Sequence, residues 1–288
     1  MHYMVIKKEK NQVSSSLGSL KDFPFVSSDV EGISGPKYLF SSDSLSGYGL
    51  DLVFELVKSA WFDGLDLALW KNFDAWNVEY VQKLSQVHQL PVAIVQISSS
   101  VNQKEMQKAL DICEALGTTT ITINAPTMFN FKSYSYLNDV LPRLREEYPH
   151  IRFSLINPED ASLFALPIPQ YRFSNIADII KRYHCYLALD LANMDSNVLE
   201  NEMSRNIDDF LPYLSTIYVS DKSRTGVSHL LPGEGVLKLQ SFIEKLQSVW
   251  FSRYLSTKIT LSKSDLSDGE KVLALLKKAR NFYDEERA

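Results

Sequence analysis

Two features of the sequence predict a single (β/α)8 barrel. From Pro36 onward, short β-branched apolar runs alternate with amphipathic helical stretches, which is typical of parallel strands joined by helical crossovers. Eight strand-then-helix pairs can be counted, and eight pairs over about 250 residues is the size of a closed barrel. The alternative, a doubly wound open sheet, is disfavoured because no GxGxxG or GxxxxGK[ST] motif follows a strand.

The clearest pair begins at residues 90–98, LPVAIVQIS, a run suited to a strand that is buried on both faces. The following NQKEMQKALDICEALG predicts a helix, with Asn102 as its N-cap, Glu105 three residues later and Gly117 at its end. The next strand, TTITINAP, follows at once. The other predicted strands are KYLFSS, FDGLDLALW, IRFSLINP, YLALDLAN, STIYVSD and STKITLS.

The chain divides into two parts. Residues 1–35 are rich in Ser, Lys and Gly and have no sustained period, so we interpret them as an irregular N-terminal extension. Residues 36–288 form the predicted barrel.

The composition favours a small-molecule partner. Hydrophobic residues make up 45% of the 288 residues and charged residues 23%, so a large core can form. A net charge of −5 opposes a broad surface for nucleic acid or anionic membrane. No apolar run approaches the roughly 18 residues of a membrane helix, and the N-terminus has no signal-type apolar segment. We therefore expect a cytoplasmic protein with neither membrane nor nucleic-acid partners.

Polar residues at the predicted strand ends indicate the functional face, because barrel active sites are built where the strands end. Amide and carboxylate side chains dominate there, a mixture that suits a sugar or polyol. We expect ligand contacts from Gln96, Asn124, Asn157, Asn193 and Tyr218, and stacking on a sugar ring by Trp70. The other interpretation is that such residues satisfy backbone groups at the rim.

Several motifs resemble the xylose-isomerase-like barrels, which include sugar-phosphate isomerases and epimerases, inosose dehydratase and apurinic endonucleases. The resemblance runs from about Lys37 to Ser262. Its motifs are AWFDGLDLAL, ALDICEALGTTTITI, FSLINP, LALDLANMD, IYVSDKS and HLLPGEGVLKLQSFIEKL, of which the last is the most specific.

The resemblance implies a divalent metal site, from which this sequence departs. The family's fifth-strand glutamate falls on Ile156, the sixth-strand histidine on Asn193, the seventh-strand histidine on Tyr218 and the eighth-strand glutamate on Ser262. Only the ligands at Asp190 and His229 are kept. Zinc sites need three or four protein ligands and magnesium about six oxygen positions, so this pair is insufficient alone.

Two alternatives stay open for this site. Glu159 or Asp160 can supply a replacement ligand, in which case Mn, Mg or Zn binds weakly; otherwise no cofactor is expected. His229 then hydrogen-bonds within the pocket, to Asp190 or to Glu234.

An acid/base role is expected for three residues near His229. Asp221 and Lys222 follow the seventh strand and can form an acid/base pair or an ion pair that fixes the loop. Glu234 belongs to the PGEG turn.

The resulting hypothesis is a sugar isomerase-like or epimerase-like barrel that binds a sugar or a similar polar metabolite after losing most of its metal ligands. The main alternative is an active metal-dependent sugar (phosphate) isomerase or epimerase with a rebuilt site. An apurinic endonuclease is a minor alternative, opposed by the acidic charge.

Overall fold

Eight parallel strands form a closed barrel in the structure, a computed structural model that describes residues 35–124, 131–159, 162–163, 166–167, 180 and 185–284. Each strand pairs with the strand before it in the chain, and β1 closes the ring by pairing with β8. The strands are β1 (Lys37–Ser41), β2 (Gly64–Ala68), β3 (Val92–Ile97), β4 (Thr120–Ile123), β5 (Arg152–Ile156), β6 (Tyr186–Asp190), β7 (Leu214–Val219) and β8 (Tyr254–Thr257). The predicted fold class is confirmed.

Nine α-helices fall within the described residues. They are α1 (Leu50–Ser59), α2 (Val78–His88), α3 (Gln103–Leu116), α4 (Phe131–Glu147), α5 (Ser196–Val198), α6 (Ile207–Phe210), α7 (Leu239–Ser248), α8 (Lys263–Leu266) and α9 (Gly269–Asn281). The helix predicted after β5 lies outside the described residues except for Ile180, as does the extension up to residue 34. Among the described residues, no helix has the length and apolar character needed to cross a membrane.

The unit from β3 to β4 shows how local sequence sets these elements. The Asn102 side chain accepts a hydrogen bond from the Glu105 backbone, and Gly117 ends α3 with φ 69°, in the left-handed region that glycine adopts without strain. The Glu105 carboxylate in turn accepts hydrogen bonds from the backbone and hydroxyl of Ser98, both at 2.8 Å. These contacts fix the loop between β3 and α3, and the predicted boundaries of α3 are confirmed.

Two layers of side chains arise from the alternation along each strand. Apolar residues such as Phe40, Leu67 and Val95 belong to the main core, together with helical residues such as Val53 and Leu110. The alternate positions point into the barrel, as hydrogen bonds between non-adjacent strands demonstrate. The interior therefore carries the side chains that lead to the functional face.

The eighth strand differs from the sequence prediction. That prediction covers residues 256–262, whereas β8 ends at Thr257 after pairing with β1 and β7. The chain then crosses the mouth of the barrel, where the Thr260 backbone N–H donates to the His229 carbonyl oxygen at 2.7 Å. Ile259 is buried there, so the apolar alternation continues past the strand.

This shift changes which residue stands at the end of the eighth strand. Ser262 is exposed and caps α8, where its hydroxyl accepts a hydrogen bond from the Asp265 backbone. Lys258 directly follows the last strand residue instead. The expected equivalence of Ser262 with a strand-end ligand is therefore corrected, and the position belongs to a lysine.

Candidate functional site

The barrel interior below the mouth is polar and crossed by hydrogen bonds. The Tyr218 hydroxyl on β7 shares a 2.9 Å hydrogen bond with the Thr122 hydroxyl on β4. The Ser256 hydroxyl on β8 donates to the Asp66 carboxylate on β2 at 3.1 Å. All four side chains are buried, so the interior connects opposite walls of the barrel through polar contacts.

Asp66 is the carboxylate most perturbed by this setting. Burial raises its pKa from 3.8 to about 7, against the hydrogen bond from Ser256 and the positive charge of Lys258, which both lower it. Burial also raises the pKa of Tyr218 well above its ordinary value, and the charge of Asp66 adds to this effect. Asp66 therefore exchanges its proton near neutral pH, a property that the sequence does not reveal.

Several buried polar atoms in this region have no hydrogen-bond partner among the described residues. They include the Ser41 hydroxyl, both amide atoms of Gln96 and Oδ2 of Asp190. Buried polar groups are normally satisfied, by water or ligand if not by protein. These atoms thus provide donors and acceptors toward the barrel mouth.

A cavity of about 250 Å³ opens at the mouth, on the side of β1, β2 and β8. Its polar lining comes from Asp43, Ser44, Lys71, His229 and Lys258. The volume is slightly below the usual range for ligand pockets, about 300 to 1,000 Å³, so a small ligand is favoured. We call this cavity the strand-end pocket.

Lys258 lines the strand-end pocket and contacts two carboxylates there, although no motif in the sequence marks it. Its ammonium nitrogen lies 3.5 Å from an oxygen of Asp43 and 3.9 Å from Oδ2 of Asp190. It also lies 5.6 Å from the centre of the Tyr218 ring. Its side chain is only 14% exposed. Lys71 adds a second positive charge, 3.0 Å from Asp43.

Asp190 is held rigidly at the end of β6 by Asn157. The Asn157 side chain accepts from the Asp190 backbone N–H at 2.5 Å and donates to its carbonyl oxygen at 3.1 Å. Oδ1 of Asp190 accepts from the Ala192 backbone, while Oδ2 points toward Lys258 and His229. The Asp190 carboxylate is therefore fixed, with one oxygen directed at Lys258 and His229.

His229 closes the other side of this arrangement. Its Nε2 lies 3.9 Å from Oδ2 of Asp190, and its Nδ1 shares a 3.0 Å hydrogen bond with the Ser220 hydroxyl. Its φ of 62° is in the left-handed region, an uncommon conformation for a side-chain-bearing residue that often marks functional positions. His229 thus hydrogen-bonds to Ser220, a partner that the sequence did not indicate; of the two expected partners, Asp190 lies 3.9 Å away and Glu234 pairs with Lys278 instead.

Asp221 has a different environment. Its buried carboxylate accepts hydrogen bonds from the backbones of Lys222, Gly233 and Leu237. A Cβ at Gly235 would overlap both this carboxylate and the Lys222 carbonyl, which explains the second glycine of the PGEG turn. Asp221 therefore anchors the loop that carries His229.

The other two residues expected to act as acid or base, Lys222 and Glu234, also lie away from the strand-end pocket. The Lys222 ammonium pairs with Glu159 at 3.5 Å and borders another depression, together with Arg224 and Asp195. Glu234 is exposed and pairs with Lys278 of α9 at 2.6 Å. The structure thus brings neither the side chain of Lys222 nor Glu234 to Asp190.

The expected ligand-contact residues fall into two groups. Tyr218 and Gln96 lie in the buried interior. The amides of Asn157 and Asn193 instead join strand ends: the Asn193 side chain donates to the Asn157 carbonyl oxygen at 2.8 Å. Asn124 likewise donates to the Ile97 carbonyl oxygen at 3.1 Å. Trp70 follows β2 and is half-buried.

The described residues supply no ligand set of the kind that a catalytic divalent metal requires. Within the described part of the chain, no three His, Cys, Asp or Glu side chains form a metal-binding group. Glu159, the expected replacement, is 57% exposed and turned to Lys222, and Asp160 lies outside the described residues. The buried cluster of Ile156, Ala188 and Tyr218 offers no carboxylate or imidazole. A lysine ammonium beside Asp190 further opposes a second cation.

Solved structures share this architecture. A xylose isomerase domain protein from Alicyclobacillus acidocaldarius superposes with a TM-score of 0.65 at 14% identity, over 87% of this chain and 97% of that one. This chain shares the (β/α)8 barrel fold of that protein. The 3-keto-D-glucoside 4-epimerase from E. coli matches with a TM-score of 0.61 at 16% identity, over 85% and 99% of the two chains.

A probable 3-DHS dehydratase from Bacillus anthracis also superposes on this chain, with a TM-score of 0.60 and 11% identity over 85% of this chain and 99% of that one. No family model matches the chain, and no curated protein is similar to it in sequence. At these identities the likeness is one of fold, so the chemistry of the site has to be argued from its own residues.

Proposed function

We propose that this xylose-isomerase-like barrel binds a small polyhydroxylated metabolite, a monosaccharide or a related polyol, in the strand-end pocket without a divalent metal. The observation that carries the proposal is the grouping of Asp190, Lys258 and His229 within 3.9 Å contacts at the strand ends. A hydroxyl group both donates and accepts hydrogen bonds. It can therefore accept from the Lys258 ammonium while it donates to the carboxylate of Asp43, which also lines the cavity.

The rest of the pocket supports the same ligand class. Asp43, Ser44 and Lys71 add an acceptor, a hydroxyl and a donor to the lining, and the cavity of about 250 Å³ suits a ligand of monosaccharide size. Among the proteins of similar fold, the 3-keto-D-glucoside 4-epimerase is named for a sugar substrate. Binding is the function proposed, because the metal chemistry implied by the resemblance lacks its ligand set among the described residues.

The test is a thermal-melting screen in the presence of a chelator, with D-xylose, D-fructose, D-tagatose, D-glucose and myo-inositol as probes. We expect at least one probe to raise the melting temperature, and we expect Asp190→Asn to abolish that shift because Lys258 and His229 of the pocket lose the charge of the carboxylate that both contact. Lys83→Met is the matched control, since Lys83 is exposed on α2, outside the pocket. If no probe shifts the folded wild-type protein, or if Asp190→Asn keeps the full shift, the proposal fails.

A further inference from the structure

The Lys258 ammonium group lies close to carboxylates, as a bound metal cation would. Its ammonium nitrogen lies between Asp43 and Asp190, at 3.5 and 3.9 Å. Its charge also acts on the buried carboxyl of Asp66, since it lowers the pKa of that group. Lys258 therefore directly contacts two carboxylates, one at the end of β6 and one in the segment after β1.

The two retained ligand positions are directed at the same place. Oδ2 of Asp190 makes no hydrogen bond to the described residues, although it is buried, and the Nε2 atom of His229 and the Lys258 nitrogen both lie 3.9 Å from it. A buried carboxylate oxygen needs a compensating charge or a donor. Lys258 is the group in the described structure that supplies that charge.

We infer that the ammonium group of Lys258 takes the place of the divalent cation that the resemblance implies, as a built-in positive charge held between Asp43 and Asp190. An ammonium offers three directed donors and no Lewis-acid orbital, so it recognises hydroxyl, carbonyl or carboxylate oxygens of a ligand through hydrogen bonds. The same charge disfavours the entry of Mn²⁺, Mg²⁺ or Zn²⁺. The inference concerns the same pocket as the proposed function, but it requires no particular ligand.

The experiment is a Mn²⁺ titration without sugar, followed by calorimetry and by the loss of the free-ion electron paramagnetic resonance signal. Three proteins are compared: the wild type, Lys258→Glu and Lys83→Glu. Lys83→Glu is the matched control, because it makes the same charge change at an exposed position of α2. We expect the wild-type protein and Lys83→Glu to bind Mn²⁺ weakly or not at all. Lys258→Glu should bind it at least tenfold more tightly, and a further His229→Ala change should remove that gain.

Lys258→Met is the second variant, to be used if Lys258→Glu does not fold. It removes the positive charge without adding another acidic group. It should also bind Mn²⁺ more tightly than wild type. Stoichiometric Mn²⁺ binding by the wild-type protein would overturn the inference. Equal affinity in the folded Lys258 variants and the Lys83 control would overturn it as well. Because no sugar is present, these outcomes are independent of the sugar screen.

Discussion

Asp190 and Asp221 follow neighbouring strands of the same barrel, and both are fully buried, yet their surroundings are opposite. Asp221 accepts three backbone hydrogen bonds and has its charge fully engaged in the loop. Asp190 leaves one oxygen without a hydrogen bond, facing Lys258 and His229. The comparison teaches that burial of an acidic strand-end residue is not itself a sign of function; an unsatisfied atom beside residues that line a cavity is the more informative observation.

The largest effect is expected at Asp221. Asp221→Ala leaves three backbone N–H groups without their acceptor. The buried donor of Leu237 costs up to about 3 kcal/mol and the two partly buried donors about 1 kcal/mol each, so we expect a loss of about 5 kcal/mol in the free energy of unfolding. Urea denaturation measures it. A loss below about 1 kcal/mol would mean that the loop does not depend on this carboxylate.

The next largest effect concerns the pH dependence of stability and Asp66. Its folded pKa of about 7 is higher than 3.8, so the folded state binds the proton more tightly than the unfolded state. Stability should therefore fall as pH rises from about 4 to about 7, by about 4 kcal/mol in total, and stay level above that range.

Asp66→Asn should remove this fall and give a protein more stable than wild type at pH 8. Unfolding free energies at pH 5 and pH 8 provide the measurement. Parallel pH curves for the two proteins would show that Asp66 does not titrate between these values.

A smaller effect is expected at Gln96, whose side-chain amide is buried without a partner among the described residues. Gln96→Met removes the polar atoms while it keeps a similar volume, so the free energy of unfolding should rise by about 1 kcal/mol. A decrease of more than about 2 kcal/mol would indicate that the amide is well hydrogen-bonded in the free protein, through water.

The smallest effect is expected at Glu234. Its exposed ion pair with Lys278 should contribute under about 0.5 kcal/mol, because solvent screens such pairs. Denaturation of Glu234→Gln beside Asp221→Ala would set this surface pair against the buried anchor of the same loop. A loss comparable to that of Asp221→Ala would assign the PGEG turn a second anchor.

The sequence predicts the barrel well because its signals are local and repeated. Each strand is a short apolar run, and α3 carries its cap at Asn102 and its terminating Gly117, as the structure confirms. The order of the eight strands follows from the alternation alone, since short crossovers place successive parallel strands side by side.

The site is harder to predict because it depends on where each strand ends. The alternation of KITLS continues after Thr257, where Ile259 is buried and the Thr260 backbone hydrogen-bonds to His229. The pattern therefore places the predicted end of the strand five residues too late. As a result, Lys258 is not recognised as the residue that follows the strand. The role of Asp221 is equally invisible in the sequence, because two of its three partners, Gly233 and Leu237, become its neighbours only when the PGEG loop folds back.

The most direct test of the account is a paired measurement on Asp190→Asn: the free energy of unfolding by urea, and the melting shift given by the best sugar probe with chelator present. We expect a stability change under about 2 kcal/mol, since Oδ1 keeps its acceptor role and Lys258 keeps Asp43, together with complete loss of the sugar shift. A loss of stability as large as that of Asp221→Ala, with the sugar shift retained, would make Asp190 a second structural anchor and contradict the account.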